Sequence, residues 1–298
     1  MDLKGVLLAL MVVIAWGLNF SVIKFGLADL PPILFSGLRF FIVAIPAILF
    51  VPFPKTPFWR VLGVGILLGV FKFSLLFFAM KEDASAGIAS LLLQVQVIFT
   101  ILLSVLIFKE YLSFFQLMGI VIAGVGFSLF FMTTNAGATP QGVVLILLAA
   151  LFWAFANLIM KGMQGVNLLH FMVWVSAVPP IPLFVLSYFF ETSQPVMLLS
   201  NMSVQSWLSL AYVGYVSTLL AFAIWGYLLS KYSAASITPF ALLIPISGIF
   251  GANIMLGEQL AYLEMVGAIL ILSGLSIGIL GPKLKLRKAS QKANEIAS

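Results

Sequence analysis

The chain consists of ten long apolar segments, and the short gaps between them carry most of its charged residues. A bilayer core about 30 Å thick is crossed by about 20 apolar residues in an α-helix, which is the length of these segments. Only 8% of the residues are charged, whereas a soluble domain carries about 25%. The segments are continuously apolar rather than alternating, so the sequence predicts an all-α membrane protein with ten transmembrane helices. The predicted spans are residues 4–24, 32–51, 59–80, 84–108, 113–132, 140–161, 168–190, 204–229, 234–256 and 261–281.

The sequence also contains an internal repeat, which in a membrane protein points towards a transporter. Residues 5–24 read GVLLALMVVIAWGLNFSVIK, and residues 142–161 read GVVLILLAALFWAFANLIMK. A second match has an offset of 148 residues, in which Glu110, Leu112, Gly119 and Gly126 return as Glu258, Leu260, Gly267 and Gly274. We therefore divide the chain into a first five-helix repeat (1–135), a second five-helix repeat (136–282) and a basic cytoplasmic tail (283–298).

The distribution of basic residues predicts the orientation in the membrane, because lysine and arginine concentrate in cytoplasmic loops. With the N-terminus inside, 11 of the 15 basic residues lie on the cytoplasmic side: Lys4, Lys55, Arg60, Lys109, Lys161, Lys231, Lys283, Lys285, Arg287, Lys288 and Lys292. Both termini are therefore predicted to be cytoplasmic. Each repeat has five spans, an odd number, so the second repeat is inverted relative to the first. Inverted repeats usually hold the substrate near the midplane, between the halves, where rocking alternates its access.

Two basic residues lie away from the ends of their predicted spans, where charged side chains are costly and by default face a cavity or a partner. Lys72, near the middle of the third span, is either a cavity lysine or a structural one. In a cavity it would attract a carboxylate or take part in proton coupling, and otherwise it would pair with an amide or helix-end carbonyls. Arg39, about two turns into the second span, could snorkel outwards, with Asp29 as a candidate partner.

The fourth span carries two polar stripes, each at the i, i+4 spacing of one helix face. Ser90 and Gln94 form one stripe, and Gln96, Thr100 and Ser104 form the other. One stripe is expected to line a cavity and the other to bond a neighbouring helix, and both assignments remain open.

The first and sixth spans carry tryptophans and amides at related positions. An offset of 137 residues pairs Trp16 with Trp153, and Asn19 and Asn157 follow them. In inverted halves these two asparagines would flank a central site from opposite sides. They would either line the cavity or form amide hydrogen bonds between helices. Trp225 lies deep in the eighth span and is a candidate apolar wall.

The ninth span is predicted to be broken, because Pro239 and Pro245 each remove a backbone donor. A broken helix at membrane depth is tolerated where it lines a cavity. The candidate cavity residues are Trp16, Asn19, Lys72, Gln94, Gln96, Trp153, Asn157, Trp225 and Pro245. The candidate gating or coupling residues are Arg39, Glu110, Lys161, His170, Pro239 and Glu258.

The residue inventory argues against several classes of protein. The chain has no cysteine and one histidine, so no metal site is predicted, and no cofactor. It has no P-loop and no paired acids within its core spans, so neither an ATP motor nor a membrane-embedded enzyme is expected. Its scattered basic residues do not fit a nucleic-acid partner. The expected partners are a small-molecule substrate and the lipid bilayer, with proton or other ion coupling and the oligomeric state left open.

Several motifs resemble the EamA-type branch of the drug/metabolite transporter superfamily: Trp16-Gly17-Leu18-Asn19-Phe20, Pro31-Pro32, Leu38-Arg39-Phe40 and the Glu-Xaa-Leu signatures at Glu110 and Glu258. Within that branch, Leu93-Gln94-Val95-Gln96 and the run from Val178 to Pro182 resemble the bacterial O-acetylserine/cysteine exporters. The resemblance implies a ten-helix inverted fold in the bacterial inner membrane. It also implies efflux of small metabolites, often amino acids or their derivatives. The alternatives are a multidrug or cationic-metabolite efflux carrier of the same fold, and a channel or scramblase.

The sequence departs from this family in the fourth span. Many members have a proline where Gln96-Val97 stands here, whereas the ninth span keeps Pro245. We therefore expect the two halves to differ at the presumed site.

Overall fold

The computed structural model of the protein is almost entirely helical. It describes residues 1–132, 137–161, 163 and 165–297, with no account of the side chains of residues 131, 234, 235 and 283–298. The junction predicted between the halves therefore lies mostly outside the described residues, as do the side chains of the basic tail. In the described part there is no strand, and an isolated bridge joins Ala84 to Ala138.

Each predicted span coincides with helical structure, so the all-α fold is confirmed. Ten long helices in the described residues are numbered α1 (Leu3–Asp29), α2 (Pro32–Ala47), α3 (Phe58–Asp83), α4 (Ala86–Phe108), α5 (Phe114–Met132), α6 (Pro140–Met160), α7 (Leu168–Phe190), α8 (Val204–Lys231), α9 (Thr238–Leu256) and α10 (Tyr262–Ala297). Eight of them are long and apolar enough to cross a membrane, and α2 and α5 are shorter apolar helices. Short helices at Pro195–Ser200 and Ala234–Ile237 precede α8 and α9.

The prediction thus overestimates the length of the second span, α2. This helix ends at Ala47 rather than near residue 51. The segment that follows contains Pro52, Pro54 and Pro57, which lack the backbone N–H that a continuing helix needs.

Side chains at the helix ends show that α1 and α8 run antiparallel. Asp2, the cap of α1, is paired with Lys231 at the end of α8, at 3.2 Å. Asp29, the last residue of α1, accepts hydrogen bonds from Ser203, the cap of α8. We call the end of the molecule that carries Asp2 the N-terminal face, and the end that carries Asp29 the opposite face.

The third helix of each half contains a π-helical stretch, Gly65–Lys72 in α3 and Tyr212–Leu220 in α8. Such stretches are rare, and they occur frequently at functional sites. Both stretches lie at mid-helix in corresponding helices of the two predicted halves, and α3 has a second π-helical stretch at its end, Ala79–Asp83.

The break predicted in α9 is confirmed. A 3₁₀ stretch, Thr238–Leu243, precedes the α-helical part that begins at Ile244. However, α4 is also interrupted, at Leu93 and Gln94, although no proline stands there. An offset of 148 residues places this interruption opposite residues 241 and 242 of α9. The halves are therefore more alike in backbone than the missing proline suggests.

Helices α5 and α10 approach each other through glycines. A Cβ on Gly119 would clash with the Gly274 carbonyl oxygen, and a Cβ on Gly126 would lie 2.8 Å from the Gly267 carbonyl oxygen. In the repeat, Gly119 is equivalent to Gly267, and Gly126 is equivalent to Gly274. Gly119 thus contacts the equivalent of Gly126, and Gly126 contacts the equivalent of Gly119. The two contacts are therefore reciprocal with respect to the repeat.

A chain of phenylalanine rings packs α2 against α3. The ring centroids of Phe35 and Phe77 lie 5.4 Å apart, those of Phe77 and Phe73 lie 5.7 Å apart, and those of Phe73 and Phe40 lie 5.5 Å apart. Aromatic pairs of this kind contribute about 0.5–1.5 kcal/mol each beyond their buried area. The chain fixes the position of Phe73, on which the candidate site is built.

Candidate functional site

Arg39 of α2 and Lys72 of α3 lie buried against the same aromatic ring, and each residue is 4% exposed. The guanidinium carbon of Arg39 lies 3.8 Å from the centroid of the Phe73 ring, and Nζ of Lys72 lies 3.3 Å from it. Nζ of Lys72 also lies 4.6 Å from the ring of Trp153 in α6. Helices from both predicted halves thus surround two buried basic side chains.

The two basic side chains of this cluster have few polar partners. Nη2 of Arg39 donates to Oγ1 of Thr218 in α8 at 3.1 Å, and this hydroxyl donates to the Val213 carbonyl at 2.9 Å. Nε and Nη1 of Arg39 have no hydrogen-bond partner among the described residues, and Nζ of Lys72 forms no hydrogen bond or ion pair with them. Buried polar groups normally have a hydrogen-bond partner, so these free donors call for an explanation.

The prediction that Arg39 snorkels outwards beside Asp29 is wrong. Asp29 instead accepts hydrogen bonds from the backbone N–H and Oγ of Ser203, at 2.8 and 2.6 Å. Arg39 turns inwards because the face of Phe73 attracts its guanidinium group and Thr218 accepts one of its donors.

The irregular turns of α3 and α8 position the cluster. Lys72 is the last residue of the π-helical stretch of α3, and Thr218 lies within that of α8. The stretch of α3 packs closely on α7, since a Cβ on Gly65 would lie 2.6 Å from Cβ of Val178. A larger residue than glycine at this position would push α3 away from α7.

Trp16 and Trp153, which the 137-residue offset relates, each contact the π-helical stretch of the other half. Nε1 of Trp16 donates to the Ser217 carbonyl in α8 at 2.9 Å, and Trp153 contacts Lys72 in α3. The first helix of each half thus meets the third helix of the other. The ring of Trp225 packs on Trp16, with centroids 5.2 Å apart, as part of an apolar wall.

A hydrogen-bonded seam joins α4 to α6. Nδ2 of Asn157 donates to Oε1 of Gln96 at 2.7 Å and to Oγ1 of Thr100 at 3.1 Å. Nζ of Lys161 donates to Oγ of Ser104 at 3.2 Å. Of the two stripes predicted in α4, the one that contains Gln96 therefore bonds a neighbouring helix.

The remaining candidate residues lie apart from this seam. Gln94 lies at the interruption of α4, and Asn19 is buried with Oδ1 unpartnered among the described residues. Pro239 lies in the 3₁₀ stretch of α9, and Pro245 is buried at the start of its α-helical part. His170 lies in the first turn of α7, where its backbone N–H is capped.

Sequence reasoning missed Phe73 and Thr218. Phe73 directly follows Lys72, so an aromatic residue beside a membrane lysine was a usable signal. Thr218 gave none, because a threonine hydroxyl in a span usually bonds the backbone of its own helix.

Carboxylates join the two halves at the opposite face. Oε1 and Oε2 of Glu258 accept hydrogen bonds from the N–H groups of Ala86 and Gly87, in the first turn of α4, at 2.9 and 3.0 Å. Glu191 binds the first turn of α2 in the same way, at 2.7 and 2.9 Å. A carboxylate at a helix N-terminus satisfies free donors and complements the helix dipole.

Glu110, the repeat equivalent of Glu258, has a different partner. Its Oε1 lies 2.6 Å from Nζ of Lys161, and both side chains are partly exposed. Lys24 is the equivalent of Lys161, and it lines a cleft together with Glu258 without pairing with that carboxylate in the described residues. The two equivalent glutamates are therefore engaged differently at the two faces.

Comparison with known proteins identifies the family. The profile of the EamA-like transporter family matches the chain twice, over residues 3–132 and 140–279. The chain belongs to this family. Each match covers five of the ten long helices, and this EamA-like protein is a multi-pass protein of the inner membrane.

Relatives of the EamA-like protein match it over nearly their whole length. A probable amino-acid metabolite efflux pump of Salmonella typhimurium is 38% identical over 292 residues, which are 96% of this chain and 98% of the relative. A protein of the same description from Escherichia coli is 38% identical over 296 residues, with 97% and 98% covered. A crystal structure with 18% identity has a TM-score of 0.64 and shares the fold, with 93% of this chain and 98% of that chain covered.

Proposed function

We propose that this EamA-like protein is a secondary active exporter of amino acids or their derivatives from the bacterial cytoplasm. The family is one of transporters, and relatives with 38% identity are described as probable amino-acid metabolite efflux pumps. The sequence contains no P-loop, so a solute or ion gradient would drive transport.

The two halves are proposed to be inverted repeats, residues 1–135 and 136–282, with the N-terminal face and the basic tail in the cytoplasm. The reciprocal glycine contacts between α5 and α10 support this arrangement. So do the contacts of the equivalent Trp16 and Trp153 with the third helix of the other half.

Alternating access is supported above all by the different partners of Glu258 and Glu110. Glu258 fastens the first turn of α4 at the opposite face, whereas Glu110 at the N-terminal face binds Lys161 instead of the N-terminus of the equivalent helix α9. In the proposed cycle each glutamate exchanges a helix N-terminus for a lysine, Lys24 or Lys161. One face is then fastened while the other is released, which makes the bundle bistable.

The two buried cations disfavour the alternative of a cationic substrate. Like charges repel strongly at low dielectric constant, and Arg39 and Lys72 have no acid to offset them among the described residues. An anionic or zwitterionic solute fits the cluster better.

Counterflow in proteoliposomes tests the proposed function. Vesicles loaded with unlabelled O-acetyl-L-serine or L-cysteine are expected to accumulate the labelled solute transiently, with saturation, whereas protein-free vesicles do not. Repeating the measurement with and without a pH gradient reports proton coupling. Flux without saturation or counterflow would indicate a channel, and uptake of cationic dyes but of no amino acid would indicate the cationic carrier; either result would overturn the proposal.

A further inference from the structure

We propose that Arg39 and Lys72, arranged about the Phe73 ring, form the receptor for a carboxylate of the transported solute. The inference rests on the proposed transport function and specifies the chemical class of the substrate. Both cations are nearly fully buried, in contact with helices from both halves. A solute bound there would therefore be held between the parts that move.

The charge balance of the cluster calls for an anion from outside the chain. The described acidic residues lie at or beside the ends of helices, and the ion pairs among them are Lys161 with Glu110 and Lys231 with Asp2. Glu264 is the fully buried acid of this part of the chain, and it accepts a hydrogen bond from the N–H of Ala261 beside its own helix. No described carboxylate is thus engaged with Arg39 or Lys72.

The donors left free in the cluster suit a carboxylate. Nε and Nη1 of Arg39 are unpartnered, and Nζ of Lys72 contacts the rings of Phe73 and Trp153 without a hydrogen bond to any described residue. Hydrogen bonds from a guanidinium or ammonium group to a carboxylate are charge-assisted and about twice as strong as neutral ones. Thr218 already holds Nη2, so the guanidinium plane is fixed before the ligand arrives.

The surroundings favour a carboxylate over a phosphate or a halide ion. The rings of Phe40 and Phe73 line the two cations and offer no hydrogen bonds, and the ring of Trp153 offers one N–H donor, which is too few to replace the hydration of a divalent anion. A halide would satisfy the charge but would not use the planar donor set of Arg39. The aromatic faces would instead contact the aliphatic part of a small organic acid.

Binding of matched acids and esters to the purified full-length protein tests the inference. The probes are O-acetyl-L-serine and L-serine, each compared with its methyl ester, and binding is measured by thermal unfolding. The wild type is expected to bind the acids about 10- to 100-fold more tightly than the esters, the range for charged hydrogen bonds. Lys72→Met and Arg39→Gln are expected to remove this preference. Arg60→Gln, which removes a charge from the same helix α3 away from Phe73, is expected to keep it.

A second measurement separates a receptor lysine from a structural one. Without ligand, Lys72→Met is expected to raise the unfolding temperature by a few degrees, because it removes an uncompensated buried charge. A lower unfolding temperature, together with an unchanged acid-to-ester ratio, would overturn the proposal. This variant keeps the test decisive even if Arg39→Gln fails to fold.

Inorganic ions complete the test. Sodium chloride or inorganic phosphate that protects the wild type more strongly than the acids, in a Lys72-dependent way, would contradict a carboxylate receptor. Saturable counterflow without a binding preference for acids over esters would support the proposed export function and refute the carboxylate receptor. Acid-selective binding without any transport would support the carboxylate receptor and refute the proposed export function.

Discussion

Glu258 and Glu110 are separated by the 148-residue repeat offset, yet they bind different groups. Glu258 accepts two backbone N–H groups at the start of α4, and Glu110 binds the side chain of Lys161. Each glutamate follows a residue in the left-handed conformation, Gly257 with φ 68° and Lys109 with φ 54°. The same local turn thus serves two different contacts within one molecule.

Replacing Glu258 with glutamine is expected to loosen the opposite face. A charge at a helix N-terminus contributes about 0.3–1 kcal/mol, so its loss would raise the opened fraction about two- to fivefold. The natural chain has no cysteine, which makes Ala84→Cys a clean reporter, because Ala84 is 4% exposed near this contact. Maleimide labelling of Ala84→Cys is expected to increase by that factor when Glu258→Gln is added.

Glu110→Gln is the matched control, since it changes the same residue type at the equivalent position. It is expected to leave the labelling of Ala84→Cys unchanged or to lower it, because it weakens the alternative fastening of the N-terminal face. An equal increase in both variants would show that the two glutamates act only on general stability.

The close contact of α5 with α10 predicts that Gly126→Val is destabilising. Its added Cβ would lie 2.8 Å from the Gly267 carbonyl oxygen, and overpacking of this kind costs about 1–3 kcal/mol. Gly124→Val, two residues earlier in the same helix, has open space around the new Cβ and is expected to be nearly neutral. Unfolding in detergent followed by circular dichroism compares the two. Equal losses would refute the contact.

The positions of the helices were predictable because long apolar segments and proline-rich gaps are local signals. The Gln96 stripe and the Asn157 face were also predictable as helix faces, since both follow the i, i+4 rule. That they face each other was not, because the pairing of α4 with α6 depends on tertiary packing.

The cation cluster was only half predictable. Lys72 stood out as a charge at membrane depth, but Arg39 was expected at the surface because its inward anchor, Phe73, belongs to another helix. The interruption of α4 at Leu93 and Gln94 was not predictable, because no proline or glycine stands there.

The contact between the N-terminus and α8 predicts a pH dependence at the acid end. A hydrogen bond from Tyr232, then one from the N–H of Gly5 and one from Lys231, lower the pKa of Asp2 from 3.8 to about 2. A carboxyl group with a depressed pKa stabilises the fold above its usual pKa, and the contribution is lost as the pH falls towards the folded value. The difference in unfolding temperature between wild type and Asp2→Asn is therefore expected to be constant near neutral pH. It should vanish between about pH 4 and pH 2; a difference that persists below that window would exclude this carboxylate as its source.

The seam between α4 and α6 predicts energetic coupling between Gln96 and Asn157. Interhelical hydrogen bonds in membrane proteins contribute about 0.6 kcal/mol on average and at most about 1.7 kcal/mol. A double-mutant cycle of Gln96→Ala and Asn157→Ala, measured by unfolding in detergent, is expected to give a coupling in this range. Gln94→Ala is the matched control, because Gln94 lies on the other stripe and forms no bond with Asn157 among the described residues. Coupling of Asn157 to Gln94 as strong as that to Gln96 would contradict the seam and return the assignment of the two stripes to an open question.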